Sequence, residues 1–172
     1  MKLNNVILIR NWAKGDFQTV RDILLTTWKD TYSFIPEKDL LFHFEKYYNK
    51  ERMIEILNNP STKGIIAEVD SITAGWMKLF DDAVNKKFFV SSLYVLPVYQ
   101  GFGIGKKLLN TAYASAASKN YNKVWLGVMK QNVKSLEWYK NLGFIFAEEE
   151  PFKMGETEVL HLIGYKEIES TI

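Results

Sequence analysis

Two short segments of this 172-residue chain hold residues whose types and spacing could do chemistry. The first is Gln100-x-x-Gly103-x-Gly105, with Gly101 inside it and Lys106-Lys107 directly after it. It joins an apolar run ending at Val95 to a helical pattern beginning at Ile104. Glycines let a backbone approach a ligand closely and adopt left-handed angles. A helix start presents N–H groups without intrahelical partners at the positive end of the helix dipole. Together these make a seat for phosphate groups. The plainer alternative is a strand-to-helix turn that needs glycine for steric reasons alone. Two familiar nucleotide motifs do not fit. Gly105-Lys106 is followed by Lys107, so a P-loop would lack its hydroxyl for magnesium. Gly101, Gly103 and Gly105 form Gly-x-Gly-x-Gly, which is not the dinucleotide-binding spacing.

The second segment is Asn132-x-x-Ser135-x-x-x-Tyr139. Steps of three and four residues place an amide, a small residue and a phenol on one helix face. That face suits a polar ligand lying along it. Tyr139 also fits as a core ring with a hydrogen-bonded hydroxyl. His43 and His161 are not spaced as a metal pair, and His161 sits inside a strand pattern, where it reads as structural.

The elements that must position these residues follow from periodicity. Val6–Ile9 is strand-like, and Phe17, Val20, Ile23, Leu24, Thr27 and Trp28 recur at helical spacing. Two further amphipathic helices cover Leu40–Tyr48 and Met53–Leu57. Gly64–Val69 and Ile72–Leu79 read as a hairpin turning at Asp70-Ser71. After a polar loop at Asp81–Lys87 come a strand over Phe88–Val95 and a helix over Ile104–Ser118. A strand over Lys123–Met129 and a helix over Asn132–Leu142 follow, the helix stopped by Gly143. Phe144–Phe146 and Val159–Ile163 are the last strands, joined through Met154-Gly155-Glu156. The order predicts one α/β domain over residues 1–172, with a mixed sheet and no linker or repeat.

Composition agrees. Apolar residues make up 47% of the chain and charged residues 24%, which is ordinary globular usage. The net charge of +2 is too small to make nucleic acid or an anionic membrane the main partner. There is no cysteine, which excludes disulfides, thiolate nucleophiles and cysteine-based zinc sites. The apolar stretch after Met1-Lys2-Leu3-Asn4-Asn5 meets Arg10 too early for a signal-peptide core, and no run reaches the ~20 apolar residues of a membrane span. The expected location is the cytoplasm.

Gln100-x-x-Gly103-x-Gly105 after a strand resembles the Gln/Arg-x-x-Gly-x-Gly/Ala motif of the Gcn5-related N-acetyltransferase (GNAT) family. Trp125-Leu126-Gly127-Val128 and then Asn132-x-x-Ser135-x-x-x-Tyr139-x-x-x-Gly143-Phe144 resemble its second signature, with Ser135 in place of the usual alanine. The two motifs stand one helix and one strand apart, as in the family, and the resemblance runs from about Val90 to Gly164. Trp125-Leu126-Gly127-Val128, Phe152-x-Met154-Gly155 and Thr27-x-x-Asp30-Thr31-Tyr32 are similar to words of the bacterial PaiA-type branch, which resembles spermidine/spermine N-acetyltransferases.

The resemblance implies a mostly antiparallel sheet flanked by helices, with a splayed strand pair that holds acetyl-CoA. It implies that Gln100, Gly101, Phe102, Gly103, Ile104, Gly105 and Lys106 bind the pyrophosphate. Leu93, Tyr94 and Val95 would pair with the pantetheine arm, an N–H near Val95 serving the oxyanion. Asn132 would bond pantetheine, and Lys134 and Ser135 would reach phosphate. Tyr139 would be the general acid for the coenzyme A thiolate. No metal is implied, and a homodimer is left open.

One position departs from the pattern. Relatives carry a glutamate as base on the strand where this chain has Ser91, next to Ser92. A water relay through Ser91 or Ser92 to a more distant carboxylate is one route, with Glu37, Glu68, Asp81 and Asp82 as candidates. Asp81-Asp82 and Glu148-Glu149-Glu150 are read as two acidic loops flanking the acceptor, which favours a small polyamine such as spermidine or spermine attacking directly in a ternary complex. A protein or amino-acid amine, or a non-catalytic acyl-CoA-binding regulatory domain on the same fold, are the alternatives.

Overall fold

A computed structural model describes residues 6–169. The reading of Met1 to Asn5 lies outside the described residues. The elements are β1 (Ile7–Asn11), α1 (Phe17–Thr31), α2 (Glu37–Tyr47), α3 (Lys50–Asn58), β2 (Thr62–Val69), β3 (Ile72–Asp82) and β4 (Lys87–Val95). They continue with α4 (Ile104–Ala117), β5 (Lys123–Met129), α5 (Val133–Asn141), β6 (Ile145–Met154) and β7 (Thr157–Glu167).

The strands form one sheet in the order β1-β2-β3-β4-β5-β7-β6. Every neighbouring pair is antiparallel except β4 and β5. The hairpin between β2 and β3 turns at Asp70 and Ser71 with φ of 50° and 68°. Two consecutive left-handed residues match the right-handed twist of the flanking strands. The middles of both strands, residues 64–67 and 74–77, are buried without alternation because helices cover both sheet faces.

The apolar stripes of the helices define the two faces. On one side, Val20, Leu24 and Trp28 of α1, Leu40 and Phe44 of α2 and Met53 of α3 pack on Ile66, Trp76, Met129 and Val159. On the other, Leu108, Leu109 and Ala112 of α4 and Leu136 and Tyr139 of α5 pack on Met77, Val90, Leu126 and Val128. This is the single-domain α/β architecture expected, a mostly antiparallel sheet between helical layers.

Two boundaries differ from the sequence reading. Asp81 and Asp82 belong to β3, opposite Phe88 and Lys87, and only Ala83–Lys86 form the loop. The strand expected over Phe144–Phe146 runs on to Met154, so Glu148-Glu149-Glu150 is strand and not loop. Glutamates are poor strand formers, but on an edge strand they face solvent and blunt the edge.

Candidate active site

β4 and β5 run parallel and share only two register pairs, Phe88 with Val124 and Phe89 with Trp125. Beyond Phe89 the strands diverge, leaving backbone groups of both free for a ligand that acts as an inserted strand. The gap opens into a cleft of about 1590 Å³. Pockets for one drug-sized ligand hold ~300–1,000 Å³, so this cleft has room for two substrates side by side.

The glycine turn lies at the open end of the gap. Gly101 and Gly103 have φ of 86° and 82°, and a Cβ on either would meet nothing within 4 Å. Gly103 caps α4 in the left-handed conformation. Empty space in front of the N–H groups of a helix start fits a pyrophosphate. Ile104 is buried in the core beside α4, so only its backbone is offered to a ligand. Phe102 and Lys106 are exposed at the rim. The Gln100 side chain donates to the Val95 carbonyl at 3.1 Å, and Lys134 Nζ donates to Gln100 Oε1 at 2.9 Å. That chain of bonds bridges the start of α5 to the end of β4.

On α5, Asn132 Oδ1 accepts the Ser135 N–H at 3.2 Å and caps the helix, leaving its NH₂ for a ligand. Tyr139 is buried, its ring 4.8 Å from Trp138 and 5.4 Å from Phe144, yet it lines the cleft. Burial, together with the nearby Tyr32 and Tyr113 phenols, pushes its pKa well above the usual phenol value. It is therefore protonated, and able to donate, throughout the neutral range.

Leu93 and Val95 pack toward α4. Tyr94 faces the opposite layer, its ring 6.2 Å from Trp28, so only its backbone faces the gap side of β4. Its phenol sits among those of Tyr32 and Tyr48, and burial raises its pKa. The same wall carries His43 of α2, Phe152 of β6 and His161 of β7. This wall of the cleft is thus largely aromatic.

The four carboxylates considered as distant bases do not line this cleft. Glu68 is 2.7 Å from Arg10, out by β1. Asp81 binds Lys119 at 2.5 Å and Tyr121 at 2.6 Å, and Asp82 binds Asn85 at 2.8 Å. Both aspartates lie at the closed end of the strand pair, so they do not flank the acceptor as the sequence suggested. Glu37 pairs with Lys29 at 2.6 Å on the surface. Ser91 sits where the β3–β4 register slips, and its hydroxyl donates to the Lys78 carbonyl at 3.1 Å. The acidic run on β6 is divided by the pleat. Glu149 pairs with Lys130 at 3.0 Å, while Glu148 and Glu150 stand opposite Ile163 and His161.

Sequence reasoning missed the pairing of the two histidines. The Phe152 ring stacks on His161 at 4.2 Å and meets His43 at 5.5 Å, so both imidazoles of the chain flank one ring. Residues 43, 152 and 161 show no local spacing that could have revealed this. Among the described residues, no three His, Asp or Glu side chains cluster as a metal site, and no helix is long and apolar enough to cross a membrane.

Residues 17–144 match the model of the acetyltransferase (GNAT) family. The chain is 31% identical over 106 residues to an uncharacterized N-acetyltransferase of Mycobacterium tuberculosis, covering 60% of this chain and 66% of that protein. The match thus spans about two-thirds of that relative's length. A crystal structure of the PaiA N-acetyltransferase of Thermoplasma acidophilum with coenzyme A superposes with a TM-score of 0.80 at 26% identity, covering 95% of this chain and 99% of that one. The spermidine/spermine N-acetyltransferase SpeG of Vibrio cholerae shares the fold, with a TM-score of 0.67 at 16% identity over 92% of this chain and 91% of that one.

Proposed function

The chain belongs to the GNAT acetyltransferase family, and from that premise we propose that it moves an acetyl group from acetyl-CoA to the primary amine of a small molecule, a polyamine such as spermidine or spermine. The observation that carries the transfer reaction is the divergence of β4 and β5 after Phe89 into a cleft lined by both Gly103 and Tyr139. A domain that only bound acyl-CoA would have no use for a buried, protonated phenol beside the gap.

In this reading the backbone at Gly101–Lys106 holds the pyrophosphate, and the free edge of β4 holds pantetheine. The amine enters from the aromatic side. Its lone pair attacks the thioester carbon, an N–H near Val95 stabilises the oxyanion, and Tyr139 protonates the departing sulfur. Acetyl-CoA supplies the activated acyl group; the residues of this chain orient it, exclude water and move protons.

Polyamine specificity rests on the PaiA-like sequence words, the spermidine/spermine activity named for the SpeG relative, and the exposed carboxylates of Asp30 and Glu55, which line the cleft. Exposed carboxylates hold a cation weakly and lose to salt. A second reading rests on Lys78, which lines the same cleft with Nζ 5.6 Å from the Tyr48 ring. A cation there favours an amine that also carries a carboxylate, such as an amino acid.

The test compares thiol release from acetyl-CoA with no acceptor, spermidine, a lysine peptide, free lysine and an aminoglycoside, at low and high salt. Spermidine should lead in kcat/KM and fall as salt rises. A lead by lysine or the peptide would reject the polyamine. No release with any amine, alongside tight acetyl-CoA binding, would favour the binding domain.

A further inference from the structure

The strand position that should carry the base holds Ser91, and its hydroxyl is already committed to the Lys78 carbonyl. The acceptor ammonium must still lose a proton inside the cleft. His161 lies directly across from Met129 at the open end of β5. Residues opposite one another in an antiparallel pair project to the same face, and Met129 belongs to the acceptor-side core. His161 therefore points to the acceptor side, where it lines the cleft.

The neighbouring residue on that face of β5 is Gly127. A Cβ there would lie 3.5 Å from His161 Nδ1 and 3.0 Å from Ile163 Cδ1. Gly127 is nonetheless exposed. The missing side chain leaves a slot beside the diverging strands with the imidazole on its edge. The flat stack of Phe152 on His161, with 10° between the rings, holds the imidazole in place.

We propose that His161 is the general base that deprotonates the acceptor amine. The proposal rests on the acetyltransferase reading and names a residue for its missing step. The substrate ammonium gives one proton to the free imidazole nitrogen. The released lone pair forms the N–C bond, and collapse of the tetrahedral adduct breaks the C–S bond. Sulfur takes its proton from Tyr139, and the second nitrogen proton restores that phenol. The products are amide, thiol and one proton on His161, which passes to solvent.

The surroundings keep the imidazole available. Burial lowers its pKa from the ordinary histidine value, so it is neutral and able to accept at pH 7. The cleft it lines also carries Asp30, Arg52, Glu55, Lys78 and Lys153. Glu150 stands across on β6, and His43 of α2 lies beyond Phe152. Lys130, in the turn after β5, is occupied with Glu149.

The experiment is a pH profile of kcat/KM, with spermidine and acetyl-CoA, for wild type, His161→Gln and His43→Gln. Loss of a general base costs ~10²–10⁴-fold. H161Q should be at least about 10²-fold slow at pH 7. It should lose the acid limb of wild type, its rate instead following the free-amine fraction and approaching wild type only near the amine's own pKa, about 10. H43Q should keep the limb. NMR titration of the His161 ring proton should give the same midpoint as the limb in wild type, and calorimetry should show acetyl-CoA binding unchanged in H161Q. A uniform loss at every pH, or a limb that survives in H161Q, overturns the base; a limb lost only in H43Q moves the role there. A wild-type chain inert toward every amine overturns the proposed function instead.

Discussion

A Cβ on Gly105 would sit 2.9 Å from Cη2 of Trp138, so α4 and α5 approach at the mouth of the cleft only because residue 105 has no side chain. The two helices carry the proposed phosphate seat and Tyr139, and in that reading their spacing sets where acetyl-CoA can lie. Gly105→Val should push the indole aside and weaken acetyl-CoA binding about tenfold, or roughly 1.4 kcal/mol. Calorimetry on the folded variant measures this, and unchanged affinity would show that the helix spacing does not matter to the cofactor.

Gly103 is constrained differently. A Cβ there meets no protein atom, but φ is 82° and the open space is where phosphate oxygens would sit. Gly103→Val should therefore cost twice, through left-handed strain of ~1–2 kcal/mol and through lost charge-assisted bonds to phosphate. Its acetyl-CoA affinity should fall further than that of Gly105→Val. A variant that loses thermal stability but binds as before would remove the phosphate from this turn.

Tyr139→Phe should lower kcat by ~10²–10⁴-fold, as for loss of a general acid, and leave acetyl-CoA affinity within about threefold. Burial holds the phenol protonated well past its usual range. Wild type should then show no rate loss attributable to this group up to about pH 10, the ordinary phenol value. A near-normal kcat in the Tyr139→Phe variant would leave Tyr139 as a core ring.

The turn that clamps α2 to the last hairpin gives a stability test. Asp39 accepts from Thr157 Oγ1 at 2.6 Å and from the Glu156 N–H at 3.2 Å. Gly155, with φ of 60°, lies so close that a Cβ would fall 2.6 Å from Asp39 Oδ1. Gly155→Ala should destabilise by ~1–3 kcal/mol from backbone strain, at roughly 2–4 °C of thermal midpoint per kcal/mol for a chain this size. Because α2 carries His43 and the hairpin carries Phe152 and His161, activity should fall with it. An unshifted midpoint would mean that the hairpin does not depend on this contact.

His43 predicts a pH dependence of stability. Burial, and then the charge of Lys46, lowers its pKa from 6.5 to about 4. Between those values the unfolded chain binds the proton and the folded chain does not. The contribution is therefore complete above about pH 6.5, shrinks as pH falls toward about 4, and changes no further below that. Urea midpoints should drop from pH 7 to pH 5, and His43→Gln should show a smaller drop. Equal slopes would place the titration elsewhere.

The local grammar of the chain determined a great deal. Asp70-Ser71 specified a hairpin turn, the apolar spacing of Val20, Leu24 and Trp28 specified a helix, and Gln100-x-x-Gly103-x-Gly105 specified a left-handed helix cap with free N–H groups. These features depend on backbone angles and side-chain periods within a few residues, so the sequence carries them directly. The acidic residues show where that grammar stops. Asp81-Asp82 and Glu148-Glu149-Glu150 looked like paired loops around one site, but strand register placed the aspartates at the closed end of the β4–β5 pair and divided the glutamates between two faces. The histidines show the same limit from the other side. β7 inserts between β5 and β6, against chain order, and so brings His161 beside Met129 and Gly127. The α2 helix then packs against β6 and sets His43 on the far side of Phe152. Which strand lies next to which is decided by the burial of whole faces against each other, a sum over the sheet that no segment of the sequence contains.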